Sequence, residues 1–248
     1  MSSSDTIYTA RFPLPELIEQ GRNNAVECPV WRAAALAAPS SGTVSLYNAS
    51  NTAIVDGASV TVTGSIATYT VTSATVADQA LEEGYRIEWA LTMPDGVVHT
   101  FRNDAALVRA RLYPVVTASD LYRRHPDLDP SNAASLGASG TTHQDALDEA
   151  WVEIQLRLIG KGNRPNLIMS PSATRLLHLY LTLEMVFRDF STTSGEGKWE
   201  SLALSYQSKA EAAWHELGFL YDEGDDGAVD DPQVRRTATP SIWLNGRF

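Results

Sequence analysis

The hydrophobic period of this chain changes once, at Thr117. Before that point the apolar residues alternate, and after it they recur every three or four positions. A period of two belongs to a half-buried strand and a period near 3.6 to an amphipathic helix. Strands first and helices after predict a segregated α+β chain, not an interleaved α/β one.

The clearest strand is written by Tyr85, Ile87, Trp89, Leu91 and Met93, alternating with Arg86, Glu88, Ala90 and Thr92. Trp89 is the middle of that stripe and is expected at the centre of a core. Pro94-Asp95-Gly96 then supplies turn chemistry, with proline pre-setting φ and glycine taking the left-handed position. Val97–Arg102 is the expected return strand, and Val108, Ala110 and Leu112 alternate with Arg109 and Arg111 in a further one. Upstream, Thr43–Tyr47, Ser59–Thr63 and Ile66–Val71 are rich in Val, Thr and Tyr, and are separated by Asn48–Asn51, Asp56-Gly57 and Gly64-Ser65. Residues 28–36 add one more strand ahead of the Pro39–Gly42 turn. Short strands at this spacing predict a small antiparallel immunoglobulin-like β-sandwich over residues 25–116, with 1–24 as an amino-terminal arm.

From Thr117 the signals are helical. Thr117-x-x-Asp120 reads as a capping box opening a short helix to Arg124, stopped by Pro126. Residues 129–142, rich in Ser, Ala and Gly, show no period and read as a loop. Thr142-x-x-Asp145 predicts a second cap, and the helix after it carries Leu147, Trp151, Ile154 and Leu158 up to Gly160. Ser170-Pro171 predicts an N-cap with proline at the first helical position, followed by Leu176, Tyr180, Leu183, Phe187 and Phe190. A last helix from about Lys198 carries Trp199, Leu202, Tyr206, Ala210, Ala213, Leu217 and Leu220. Three such stripes predict a helical bundle over 117–221.

The net charge is −11, and six acidic residues fall within 222–231. That run reads as a solvated acidic linker, because its carboxylates repel one another and its glycines favour no packed element. It does not match a calcium loop, since the position two after Asp222 is Gly224. Beyond it lies an apolar-basic tail with Arg235, Arg236, Ile242, Trp243, Leu244, Arg247 and Phe248, which either folds back onto its own bundle or anchors a partner. No basic stretch is large enough to neutralise many phosphates, which argues against tight DNA binding. The amino terminus lacks the pattern of a signal peptide, and no apolar run has the length of a membrane span.

Candidate chemistry is sparse. Asp145, Asp148, Glu149 and Glu153 share one helix, but they lie off its apolar stripe and are expected to face water. His99, His125, His143, His178 and His215 form no metal-ligand spacing, and His178 and His215 fall off the stripes of their helices. Cys28, the single cysteine, precedes Pro29 and reads as a packed thiol. Phosphate-binding, dinucleotide and nucleophile-elbow motifs are missing. The expectation is a protein that is not an enzyme, with no catalytic residue, metal or cofactor.

Several segments together resemble a known group of proteins. TVSLYNASNTAIVDGASVTVTG and YRIEWALTMPDG look like a β-domain inserted in a phage structural protein. TASDLYRRHPDL, THQDALDEAWVEIQLRLIG, SPSATRLLHLYLTLEMVFRDF and KWESLALSYQSKAEAAWHELGFLYDEGDDG resemble, in layout over residues 117–248, the helical core of head-to-tail adaptors. These are the connector or head-completion proteins of tailed double-stranded DNA bacteriophages. The resemblance implies a structural protein of the virion neck, assembled in the host cytoplasm into a dodecameric ring. Its implied partners are further copies of itself, the portal protein, and a tail-side neck protein, either stopper or tail terminator. Double-stranded DNA would pass through without specific binding, and no membrane is involved. The carboxy-terminal segment of such adaptors reaches the portal, so Arg235, Arg236, Ile242, Trp243, Leu244, Arg247 and Phe248 become the portal-docking tail. Asp145, Asp148, Glu149 and Glu153 become candidate channel-lining residues. The β-domain departs from the smallest, almost wholly helical members, and implies an extra contact with capsid or a neighbouring ring. The alternative is a tail or baseplate structural protein that uses the β-domain as a binding module.

Overall fold

In a computed structural model of the chain, residues 8–132, 142–194 and 197–230 are described. The fold is mixed α+β, with every strand preceding every α-helix. The chain divides into two compact units, and the boundary falls between Arg111 and Leu112.

The first unit holds β1 (Tyr8–Ala10), β2 (Glu16–Glu19), β3 (Asn24–Arg32), β4 (Ala35–Leu36), β5 (Ser41–Tyr47), β6 (Ala53–Ser59), β7 (Thr61–Thr63), β8 (Ile66–Val71), β9 (Glu82–Thr92) and β10 (Val98–Val108). One sheet runs β1-β3-β8-β7, with β4 also paired to β3; the other runs β2-β10-β9-β5-β6. The two sheets contribute to one apolar core. Val26, Cys28 and Val30 come from β3, Ala67 and Val71 from β8, Val44 and Leu46 from β5, and Tyr85, Ile87, Trp89 and Leu91 from β9. The alternation read from β9 is therefore a burial pattern: Tyr85, Ile87, Trp89, Leu91 and Met93 are all essentially inaccessible. The β9–β10 hairpin turns as its residues require. Gly96 adopts φ +79°, its N–H donates to the Met93 carbonyl at 2.8 Å, and the Asp95 side chain accepts from the Val97 N–H at 3.0 Å. Gly42 sits so close to β9 that a Cβ would lie 2.8 Å from the Ala90 carbonyl oxygen and collide with the Leu91 side chain.

Four expectations for this unit are corrected. Residues 8–24 are not an arm, because β1 pairs with β3, β2 pairs with β10, and Ile18 is fully buried. The sheets are not wholly antiparallel: β2 runs parallel to β10. The alternation at 108–112 is not a separate strand. β10 is continuous to Val108, and a bulge between Ala105 and Ala106 shifts its register, so Ala105, Ala106, Leu107 and Val108 are all buried. Asp56-Gly57 is not a turn either, because both residues lie inside β6. Its pairing with β5 is irregular, and Gly57 absorbs a φ of +60°.

The second unit holds α1 (Ala118–Arg124), α2 (Gln144–Gly160), α3 (Arg175–Ser194) and α4 (Gly197–His215). α1 starts as its sequence predicts, with the Asp120 carboxylate accepting from the Thr117 N–H at 3.0 Å. α3 packs against α4, α2 and α1. Leu112 and Val116, ahead of the first helix, are buried among these helical residues. The middle of the loop expected at 129–142 lies outside the described residues.

Three helical expectations are corrected. The N-cap of α2 is His143 in the left-handed region, with no side-chain cap bond, and not Thr142. The stripe of α3 is displaced: Leu176 is 51% exposed, whereas Leu177, Leu179, Leu181, Leu183 and Phe187 are buried. A helix with neighbours on several sides hides more than one stripe. Residues 222–230, finally, are a folded loop and not an extended linker. Asp222 is buried, and its carboxylate accepts from the N–H groups of Asp226 at 3.1 Å and Gly227 at 2.7 Å. The Asp230 carboxylate accepts from the N–H groups of Glu223 and Gly224. Carboxylates that each accept two backbone hydrogen bonds offset the mutual repulsion that argued for extension.

Candidate functional site

The sequence-predicted channel residues fall on α2 (Gln144–Gly160). Leu147, Ala150, Ile154 and Leu158 bury one face of this helix. Asp145, Asp148 and Glu149 are exposed on the other, and Glu153 is half-buried. Glu153 is held by Arg157 at 2.7 Å, an ordinary i,i+4 pair. Asp148 accepts from the Gln144 side chain at 2.8 Å. The result is a short acidic row turned to water, backed by an apolar face.

A basic counterpart, missed at the sequence level, sits where α1 meets the start of α3. Asp120 is bonded by Arg175 at 2.6 Å and approached by Arg123 at 4.0 Å. Arg124 lies over the Tyr180 ring at 5.4 Å. With Leu179 these residues line an open cleft of about 460 Å³. The backbone N–H of Thr117, and then Arg175, hold the Asp120 carboxyl below the usual range. The Arg123-Arg124 pair was the only sequence signal, because Arg175 lies about fifty residues further on.

The histidines divide between packing and surface positions: His143 and His178 are buried, His99 and His125 are half-buried, and His215 is exposed. His178, expected off the core stripe, is 1% exposed. Its Nε2 is 2.9 Å from the Leu147 carbonyl oxygen, and its ring lies 5.3 Å from Trp151. His143 is buried against Tyr122 and Phe190, and His125 pairs with the Tyr206 hydroxyl at 2.7 Å. Burial pushes all three imidazoles below their ordinary pKa. A folded-state pKa below the unfolded value means that the unfolded chain takes up the proton first. The stability these groups support is complete above about pH 6.5 and is lost as the pH falls below it. The thermal midpoint of the helical unit is therefore expected to be flat between about pH 7 and 8 and to drop toward pH 5. His178→Gln, which keeps a donor for Leu147 but does not titrate, should flatten that slope. An unchanged midpoint at pH 5 in the unmodified chain would contradict the assignment.

Cys28 is fully buried in the first unit, and desolvation pushes its thiol up to about 12. It is a packed hydrophobe, not a nucleophile. Among the described residues no group of three or more His, Cys, Asp or Glu side chains is placed to hold a metal ion, and no helix is long and apolar enough to cross a membrane. Arg235, Arg236, Ile242, Trp243, Leu244, Arg247 and Phe248 lie outside the described residues.

No protein-family model matches the chain, and no curated protein is significantly similar to it in sequence.

Proposed function

We propose that this chain is a structural protein of a bacteriophage neck, a head-to-tail adaptor. It assembles as a ring on the portal and continues the DNA channel toward the tail. The observation that carries this reading is α2, with Asp145, Asp148 and Glu149 in water opposite the buried Leu147, Ile154 and Leu158. A helix built this way can turn a negative wall toward DNA while its other face holds the subunit together. A negative wall repels phosphates and keeps passing DNA from adhering. The resemblance of the four helical segments to the adaptor core supports the same reading.

In this account the first unit is an immunoglobulin-like sandwich that touches capsid or a neighbouring ring, and the second is a helical bundle. Asp145, Asp148, Glu149 and Glu153 line the channel. The tail is the portal anchor, because Trp and Arg are the residue types that dominate binding hot spots.

The test is attachment of the purified chain to tail-less phage heads that carry the portal, imaged by electron microscopy. The full chain is expected to form a ring at the portal vertex. Deletion of 237–248, or Trp243→Ala, should leave a folded, soluble subunit and reduce attachment at least tenfold. Normal attachment by the deletion variant, or no attachment by the full chain, would overturn the proposal.

A further inference from the structure

The start of α3 and the end of α4 enclose a groove of about 330 Å³. Ala173, Leu176 and Leu177 form one wall, and Ala213 and Leu217 form the other, with Tyr180 between them. The groove has aliphatic residues on both walls and Lys209 and Glu216 in its lining, and nothing among the described residues covers it. Leu176 is 51% exposed.

We infer that, in the free subunit, this groove is occupied by the carboxy-terminal segment of the same chain, with Ile242, Trp243 and Leu244 lying against Leu176 and Leu217. The chain is delivered there by its own backbone. After α4, the Met169 N–H donates to the Leu220 carbonyl, and the Asp222 N–H donates to the Leu167 carbonyl, each at 2.9 Å. The Asp230 N–H then donates to the Tyr221 carbonyl at 2.9 Å. The last described residue is therefore fixed to Tyr221, only three positions beyond Gly218 at the end of the groove. Three residues span at most about 11 Å, and the stretch from Asp230 to Ile242 reaches at most about 40 Å. The apolar triplet is therefore within chain reach of the groove.

Chemistry selects the same occupant. Residues 232–248 carry three arginines and no acidic residue. The groove offers the Glu216 carboxylate at its edge, while Lys209, its one cation, is engaged over the Tyr206 ring at 4.5 Å. A short tether also raises the local concentration of the triplet to the millimolar range, so even a modest contact is saturated within one chain. This assignment goes beyond the neck reading and holds whatever the tail binds later. A partner that uses Trp243 must first draw it from the groove.

The test uses the full chain with its six tryptophans replaced by 5-fluorotryptophan. Trp243 is assigned in the ¹⁹F NMR spectrum by Trp243→Phe, and a labelled 237–248 peptide gives the free position. The Trp243 resonance is expected to be displaced from the free position, at every protein concentration from micromolar to hundreds of micromolar. Leu176→Glu, at a half-exposed site, should return it to the free position while the other five resonances stay in place. Leu217→Glu is the second variant, should the first disturb the fold. A Trp243 resonance at the free position in the unmodified chain overturns the inference. So does a displacement that appears only at high concentration, which would place the tail on a second copy. Portal attachment is a separate measurement, so either proposal can fail without the other.

Discussion

Trp89→Ala is expected to destabilise the first unit by about 3–5 kcal/mol, the range for removing a fully buried large aromatic side chain. Trp89 is completely inaccessible. On β9 it is flanked in register by Phe101 of β10 and Val44 of β5, and its own stripe places Ile87 and Leu91 beside it. The core is built from both sheets, so the cavity would have walls on strands that are hydrogen-bonded to different partners and cannot all collapse inward. Its indole N–H has no hydrogen-bond partner among the described residues, so the loss is one of packing. Trp89→Phe, which removes that N–H and keeps a ring, should therefore lose clearly less than the alanine variant. Denaturant-dependent hydrogen exchange of β9 amides in the full chain measures both. A loss below about 1 kcal/mol in Trp89→Ala would show that the ring is not packed as described. A fragment made to test the unit alone must begin before Tyr8, because one starting at residue 25 would lack β1 and β2 and expose the edges they cover.

What could be read from the sequence was local. The β9 stripe, the Asp95-Gly96 turn, the bounds of β8, the Asp120 cap of α1 and the end of α2 at Gly160 all depend on neighbours within a few residues. What could not be read was non-local. β1 and β2 are too short to show alternation, and the parallel register of β2 on β10 joins residues about ninety apart. On α3 the spacing predicts a single stripe through Leu176. Contacts from three other helices instead bury Leu177, Leu179 and Leu181, and they take His178 inside with them. The acidic run illustrates a different failure. Counting charge treats Asp222 and Asp230 as repelling groups, but each has backbone N–H groups to accept from, and that information lies in the fold of the loop. Of the candidate site, the sequence identified the acidic row on α2. The arginine cleft escaped it, because Arg175 joins Arg123 and Arg124 only after α1 and α3 are packed.

Phe187→Ala is the matching result for the second unit, with an expected loss of about 3–5 kcal/mol. Phe187 is 1% exposed and gathers three elements around one ring. Trp199 and Tyr206 of α4 stack on it, each with centroids 5.8 Å away, and His125, just after α1, meets it edge-on at 4.9 Å. Aromatic pairs of this kind add about 0.5–1.5 kcal/mol beyond the area they bury, which places the expected loss toward the top of the range. The His125–Tyr206 hydrogen bond lies against the same ring, so opening a cavity there should also release His125 toward its ordinary pKa. Phe187→Leu keeps most of the volume but loses the ring pairs, and should cost less than the alanine variant. Urea unfolding followed by far-UV circular dichroism separates the two variants, and an NMR titration of His125 reads the second effect. Equal losses in the alanine and leucine variants would mean that stacking, and not volume, holds α3 to α4. A loss under about 1 kcal/mol in both would remove Phe187 from the centre of this core. α3 packs against α1, α2 and α4, so a chain loosened at Phe187 loses the support behind the acidic face of α2 as well.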